Sequence, residues 1–113
     1  MTEKVVKGFE LFSEKYPEIK AQGEMQFDTA YVPAIADKKF PESKVKGDAN
    51  VFVFPNLDSG NICYKLCQRI GGFDAYGPLL QGTAKSVSDL SRGASASDIV
   101  VASYISQLRV EKD

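Results

Sequence analysis

The stretch Val51-Phe52-Val53-Phe54-Pro55 decides how the fold is read. Four adjacent β-branched or aromatic residues without polar alternation predict a strand covered on both faces, and Pro55 ends it. Upstream, residues 40–48 run from Phe40-Pro41 to Gly47-Asp48 and are polar and turn-rich, which predicts a surface loop. Asp28 is expected to cap a short helix through Ala30, Tyr31, Ile35 and Ala36, with Pro33 near its start or at a kink. Ile19 to Met25 carries a weak strand signal followed by a loop. At the N-terminus, Val5, Phe9, Phe12 and Tyr16 recur at helical spacing, with Thr2 as a candidate N-cap and Pro17 as a stop.

Downstream of Pro55, Asp58 and Ser59 can cap a helix whose one side carries Ile62, Leu66 and Ile70, and which Gly71-Gly72 ends. Ala75 to Leu80 predicts a further strand. Residues 81–93 are rich in Gly and Ser and read as a loop. A last helix begins near Ser95 and carries Ile99 to Leu108. This order is that of an α/β protein with a small, mostly parallel sheet flanked by helices. Three strands make a small parallel sheet, which normally needs more strands beside it. The chain is therefore expected to be a piece of a larger sheet or to need a partner.

The 113 residues suffice for one domain. Hydrophobic residues at 43% and charged residues at 26% match a soluble globular protein. No apolar run reaches the roughly 18 residues a membrane span needs. The opening Met1-Thr2-Glu3-Lys4 lacks a signal-peptide stretch, and with two Cys the expected compartment is the cytoplasm. A net charge of −1 argues against non-specific nucleic-acid binding. The absence of His removes Ser-His-Asp and Cys-His catalysis and most zinc sites. Cys63 and Cys67, at i and i+4 on a helix, are too far apart for an ordinary disulfide and read as small buried hydrophobes.

The most informative loop is Lys85 to Gly93, placed after a predicted strand and before a predicted helix. Ligands of open α/β sheets sit at such places. Arg92 offers a cationic fork for phosphate oxygens, Ser91 a hydroxyl, and Gly93 a close backbone approach. An ordinary Ser-rich loop with a solvated Arg explains the same residues. Asp98, three residues after Ser95, forms with it something close to a capping box, in which an acid also suits the helix dipole. The other reading makes Asp98 a general base six residues beyond Arg92. Arg69, at the end of the preceding helix, either complements that helix's dipole or reaches a ligand.

Several motifs taken together resemble a known family. They are Gly23-Glu24-Met25-Gln26-Phe27-Asp28-Thr29-Ala30, the stretch from Gly47-Asp48 to Asn61-Ile62, Gln68-Arg69-Ile70-Gly71-Gly72, Gly77-Pro78-Leu79-Leu80-Gln81-Gly82 and Asp89-Leu90-Ser91-Arg92-Gly93. In this order they resemble the C-terminal part of phosphate acetyltransferases (phosphotransacetylases) and their phosphate butyryltransferase relatives. Ser86 and Ser88 depart from that pattern, which often has Pro and Asn there.

The resemblance implies reversible acyl transfer between coenzyme A and inorganic phosphate, in which acetyl-CoA and phosphate give acetyl phosphate and CoA. It implies a fragment of a two-domain acyltransferase, usually homodimeric, with the active site in the interdomain cleft. Residues 1–113 would be the later half of the second domain and the C-terminal helix. Within them, residues 1–82 would hold the sheet and residues 83–113 the active-site loop and that helix. The family's CoA-holding arginines would lie in earlier parts absent here. Carried over residue by residue, Arg92 would hold the phosphate or acyl phosphate, with Ser91 beside it. Asp98 would deprotonate the CoA thiol, and Arg69 would be a substrate-binding arginine. CoA or acetyl-CoA and acyl phosphate are then substrates, with no permanently bound cofactor, no metal, no nucleic acid and no membrane partner. A carboxylate base is expected to work better if partial burial raises its pKa. The alternative implied by the same relatives is a non-catalytic acyl-CoA-sensing or dimerisation module.

Overall fold

The computed structural model describes residues 2–110. They form two compact units, one up to Cys63 and the other from Tyr64 onward.

The first unit is helical. Helix α1 (Thr2–Lys15) follows the expected periodicity and stops just before Pro17. The Lys4 ammonium donates to the Pro55 carbonyl over 3.2 Å. The single short helix expected after Asp28 is two: α2 (Phe27–Tyr31) and α3 (Pro33–Lys39). Pro33 divides them. It lacks an N–H and sits at the first turn of α3, where that N–H has no intrahelical partner to lose. Asp28 is not the N-cap, since Gln26 occupies that position. Its carboxylate instead accepts from the Thr29 N–H at 2.7 Å and pairs with Lys39 of α3 at 2.9 Å. That bond to Lys39 leads in holding Asp28 below the ordinary carboxylate range.

Thr29, Ala36 and Ser43 are the buried centre of this unit. The loop after α3 folds back tightly over it. Gly47 has φ +72°, and a Cβ there would lie 2.5 Å from the Pro33 nitrogen, so only glycine fits.

Residues 51–54 overturn the expectation of a covered strand. They form no strand, and no backbone hydrogen bond to another described residue involves them. Val51 and Val53 are 76% and 90% exposed. The intervening Phe52 packs on Phe27 and Tyr31, with ring centroids 4.9 and 6.1 Å apart. Phe54 approaches Gly60. The run is thus covered on one side only, with the period of an extended chain. The weak strand signal of Ile19 to Met25 likewise gives no strand.

Helix α4 (Leu57–Arg69) begins in the first unit and ends in the second. Its cap is Asn56, not Asp58 or Ser59: the Asn56 Oδ1 accepts from the Ser59 N–H at 2.9 Å. At the other end the Gly71 N–H reaches back to the Leu66 carbonyl at 3.1 Å, and Gly72 takes φ +70°. Cys67 is exposed and Cys63 half-buried, so neither is the buried hydrophobe expected.

In the second unit, β1 (Leu79–Leu80) and β2 (Val87–Ser88) pair antiparallel, Leu79 opposite Ser88 and Leu80 opposite Val87. A small α/β architecture is present. Its two-stranded antiparallel sheet replaces the mostly parallel sheet expected. The physical reason is separation: parallel strands need a crossover and a neighbour, whereas these two need only the short connection between them. The predicted strand from Ala75 pairs only over its last two residues, and the predicted loop 81–93 contains β2. Helix α5 (Ala96–Val110) buries Ala102, and its Ser106 hydroxyl lies 2.7 Å from that of Ser88 on β2.

Candidate active site

The segment from Pro78 to Ser95 positions the candidate residues. The Asp89 N–H donates to the Pro78 carbonyl, extending the ladder by one bond at 3.1 Å. The chain then turns: the Ala94 N–H donates to the Ser91 carbonyl at 2.9 Å and the Gly93 N–H to the Ser91 hydroxyl at 3.3 Å. Such serine turns offer the backbone a local partner in place of a ladder. The turn delivers Ser95 to the N-cap of α5.

Ser95 and Asp98 form a reciprocal cap. The Asp98 N–H donates to the Ser95 hydroxyl oxygen at 3.2 Å. The Asp98 Oδ2 accepts from the Ser95 N–H at 2.8 Å and from its hydroxyl at 2.9 Å. This is a capping box with Asp in the place of the usual Glu or Gln. The two bonds from Ser95, backbone first, hold the Asp98 carboxyl below its ordinary value of 3.8, and the positive charge of Arg69 adds to them. Partial desolvation works in the opposite direction and loses. The raised pKa expected for a carboxylate base is therefore replaced by a lowered one.

A cleft of about 480 Å³ opens in the second unit, and Arg69, Ser91 and Asp98 all line it. Arg69 comes from the last turn of α4, Ser91 from the turn and Asp98 from the first turn of α5. Arg92 is exposed and is not among the lining residues, although both of its neighbours are. It makes no hydrogen bond or ion pair to any described residue. Sequence reading missed Lys65, Asp74 and the two tyrosines Tyr64 and Tyr76, which also line the cleft. No local motif marks them; only the end of α4 and the segment after it bring them together. Arg69 and Lys65 balance Asp74 and Asp98 in charge, and the tyrosines supply apolar faces with hydroxyl tips. The cleft therefore offers a ligand both signs of charge beside apolar faces. Among the described residues, no three His, Cys, Asp or Glu side chains cluster in a way that could hold a metal ion. Among the described residues, no helix is long and apolar enough to cross a membrane.

With that geometry in hand, comparison with known proteins places the chain. The model of the family described as Phosphate acetyl/butaryl transferase matches residues 1–106. The chain is 56% identical over 98 residues to the phosphate acetyltransferase of Bacillus subtilis (strain 168), covering 87% of this chain and 30% of that protein. To the phosphate acetyltransferase of Acetivibrio thermocellus it is 50% identical over 111 residues, covering 98% of this chain and 33% of the relative. The solved EutD phosphotransacetylase from Staphylococcus aureus superposes with a TM-score of 0.85 at 49% identity, over 96% of this chain and 34% of that one. The chain belongs to the phosphate acetyl/butaryl transferase family, a family of acyltransferases. It spans about a third of the length of the relatives it matches.

Proposed function

We propose that this chain supplies part of the active site for acyl transfer between coenzyme A and inorganic phosphate. The observation that carries the reading is the convergence of Arg69, Ser91 and Asp98 on one cleft in a member of an acyltransferase family.

In the direction of acetyl-CoA formation, Asp98 takes the proton of the CoA thiol as the sulfur attacks the carbonyl carbon of acetyl phosphate. The C–S bond forms, the C–O bond to phosphate breaks, and the proton passes on to the departing phosphate. A thiol near pKa ~8.5 is far less acidic than this carboxyl, so full transfer before attack is uphill. The proton therefore moves as the C–S bond forms, which is general-base catalysis in the strict sense. The Ser91 hydroxyl gives its proton to the developing oxyanion, since its oxygen already accepts from Gly93. Arg69 holds the phosphate oxygens from the end of α4, and Arg92 closes over them from the turn. No covalent enzyme intermediate is needed.

The reading extends to a cytoplasmic homodimer that uses CoA as substrate and holds no permanent cofactor. Residues 83–113 act in it as active-site loop and C-terminal helix beside residues 1–82. Family membership supports these points. The test is a chimera in which this chain replaces the matching third of a full-length family member. Acetyl-CoA formation from acetyl phosphate and CoA is followed with and without Asp98→Asn. Turnover that depends on Asp98 supports the reading, and equal turnover of the two proteins overturns it.

A further inference from the structure

The capping box at the start of α5 treats the two oxygens of Asp98 differently. Oδ2 carries both bonds from Ser95, at 2.8 and 2.9 Å. Oδ1 accepts no hydrogen bond from any described residue. A carboxylate oxygen that already accepts two donors has little lone-pair density left for a third. The free oxygen is the better proton acceptor, and the bound one fixes the rotamer.

We infer that Ser95 is a positioning residue for the reaction: it ties down Oδ2 of Asp98 and leaves Oδ1 as the atom that receives the thiol proton. This rests on Asp98 being the base. Ser95 is not among the residues that line the cleft; it acts through Asp98. The arrangement has a cost in basicity, because the same two bonds stabilise the ionised carboxylate. What it gives in return is a base that is fully ionised at neutral pH and held in one orientation, so that proton transfer needs no search over rotamers. The other charged groups of the cleft are Arg69 and Lys65 from α4 and Asp74 from the segment after it. Arg69 reinforces the ionised state of Asp98. Among the described residues neither Arg69 nor Lys65 forms an ion pair with Asp98 within 4.0 Å, and the hydrogen bonds that orient its carboxylate come from Ser95.

The test uses Ser95→Gly, Ser95→Ala and Ser95→Thr in the chimera, with kcat and KM for CoA measured from acid to neutral pH. Gly is well tolerated at an N-cap in place of Ser, and it keeps the backbone N–H while deleting the hydroxyl. It therefore separates positioning from folding should Ser95→Ala unfold the helix start. The expected result is a kcat about 10- to 100-fold lower for Ser95→Gly with KM for CoA unchanged. The acid limb of kcat should move upward in pH, and Ser95→Thr should restore both. A kcat and acid limb unchanged in Ser95→Gly, with Asp98→Asn still inactive, overturns the role of Ser95 alone. Full activity of Asp98→Asn overturns the assignment of the base itself.

Discussion

Residues 51–54 and residues 91–98 carry comparably clear sequence signals, yet the first signal fails and the second holds. The apolar run forecasts a covered strand, but Val51 and Val53 are solvent-exposed and the backbone pairs with nothing described. The Ser-x-x-Asp pattern forecasts a capping box, and all three of its hydrogen bonds are present. The difference lies in where the partners are. A cap needs only residues three positions apart, which the chain always supplies. A strand needs backbone groups from a distant stretch, and its sequence can state the need without supplying the neighbour.

The largest expected effect tests whether the second region does more than start a helix. Asp98→Asn in the chimera should lower kcat by about 10²–10⁴, the usual range for removing a general base. Raising the pH toward the thiol's pKa should recover part of the loss, because solvent then provides the thiolate. Arg92→Gln is the companion. Its guanidinium engages no described residue, so losing it should leave melting unchanged and lower kcat by about 10²–10³ if it meets developing charge. For Asp98→Asn some loss of melting temperature is expected either way, because the capping bonds are present; a carboxylate that only capped the helix would leave turnover normal.

The first region divides within itself. Phe52 packs on two aromatic rings, so Phe52→Ala should destabilise the chain by about 1–3 kcal/mol, read by urea or thermal unfolding. No loss on Phe52→Ala would mean that its contacts with Phe27 and Tyr31 contribute nothing to this unit.

A pH titration of stability returns to the capping box. Asp98 and Asp28 both have folded-state pKa values below 3.8. For a lowered carboxyl, the stabilisation is complete above the unfolded-state value and is lost as pH falls through the folded one. Melting temperature should therefore hold from neutral pH down to about 4–5 and fall below it. Asp98→Asn should flatten part of that fall, and Asp28→Asn another part. Identical acid profiles for wild type and both variants would show that neither carboxylate is held as described.

How much was legible follows the same division. The stops of α1 and α4 and the start of α5 could be read to within a residue or two, because Pro17, Gly71-Gly72 and the Ser95 cap act locally. The cap signal at Asp58 or Ser59, by contrast, puts the start of α4 two to three residues late, in place of Asn56. The split of α2 from α3 needed only a stricter reading of Pro33. At the site, the stretch from Ser91 to Asp98 could be read because its residues are consecutive. Lys65, Asp74 and Tyr76 were invisible because their place in the cleft depends on how α4 ends. The direction of the Asp98 shift was missed for a related reason. The cap also controls the carboxylate's charge, so the capping and general-base readings of Asp98 do not exclude each other.

The smallest effect is the sharpest check on the comparison. Val53 follows Phe52 directly and has the same β-forming character, yet it is 90% exposed. Replacing it with Ser removes apolar surface that folding does not bury, so the transfer free energy lost is close to zero. No backbone bond depends on it either. Val53→Ser should change unfolding stability by less than ~0.5 kcal/mol, the scale of an ordinary surface substitution. The same exchange should slow any concentration-dependent self-association, because Val51 and Val53 together offer an unpaired apolar edge. Light scattering of both proteins over a concentration series measures this. A destabilisation near that of Phe52→Ala would mean that Val53 is covered in solution, and the run would then be the strand its sequence describes.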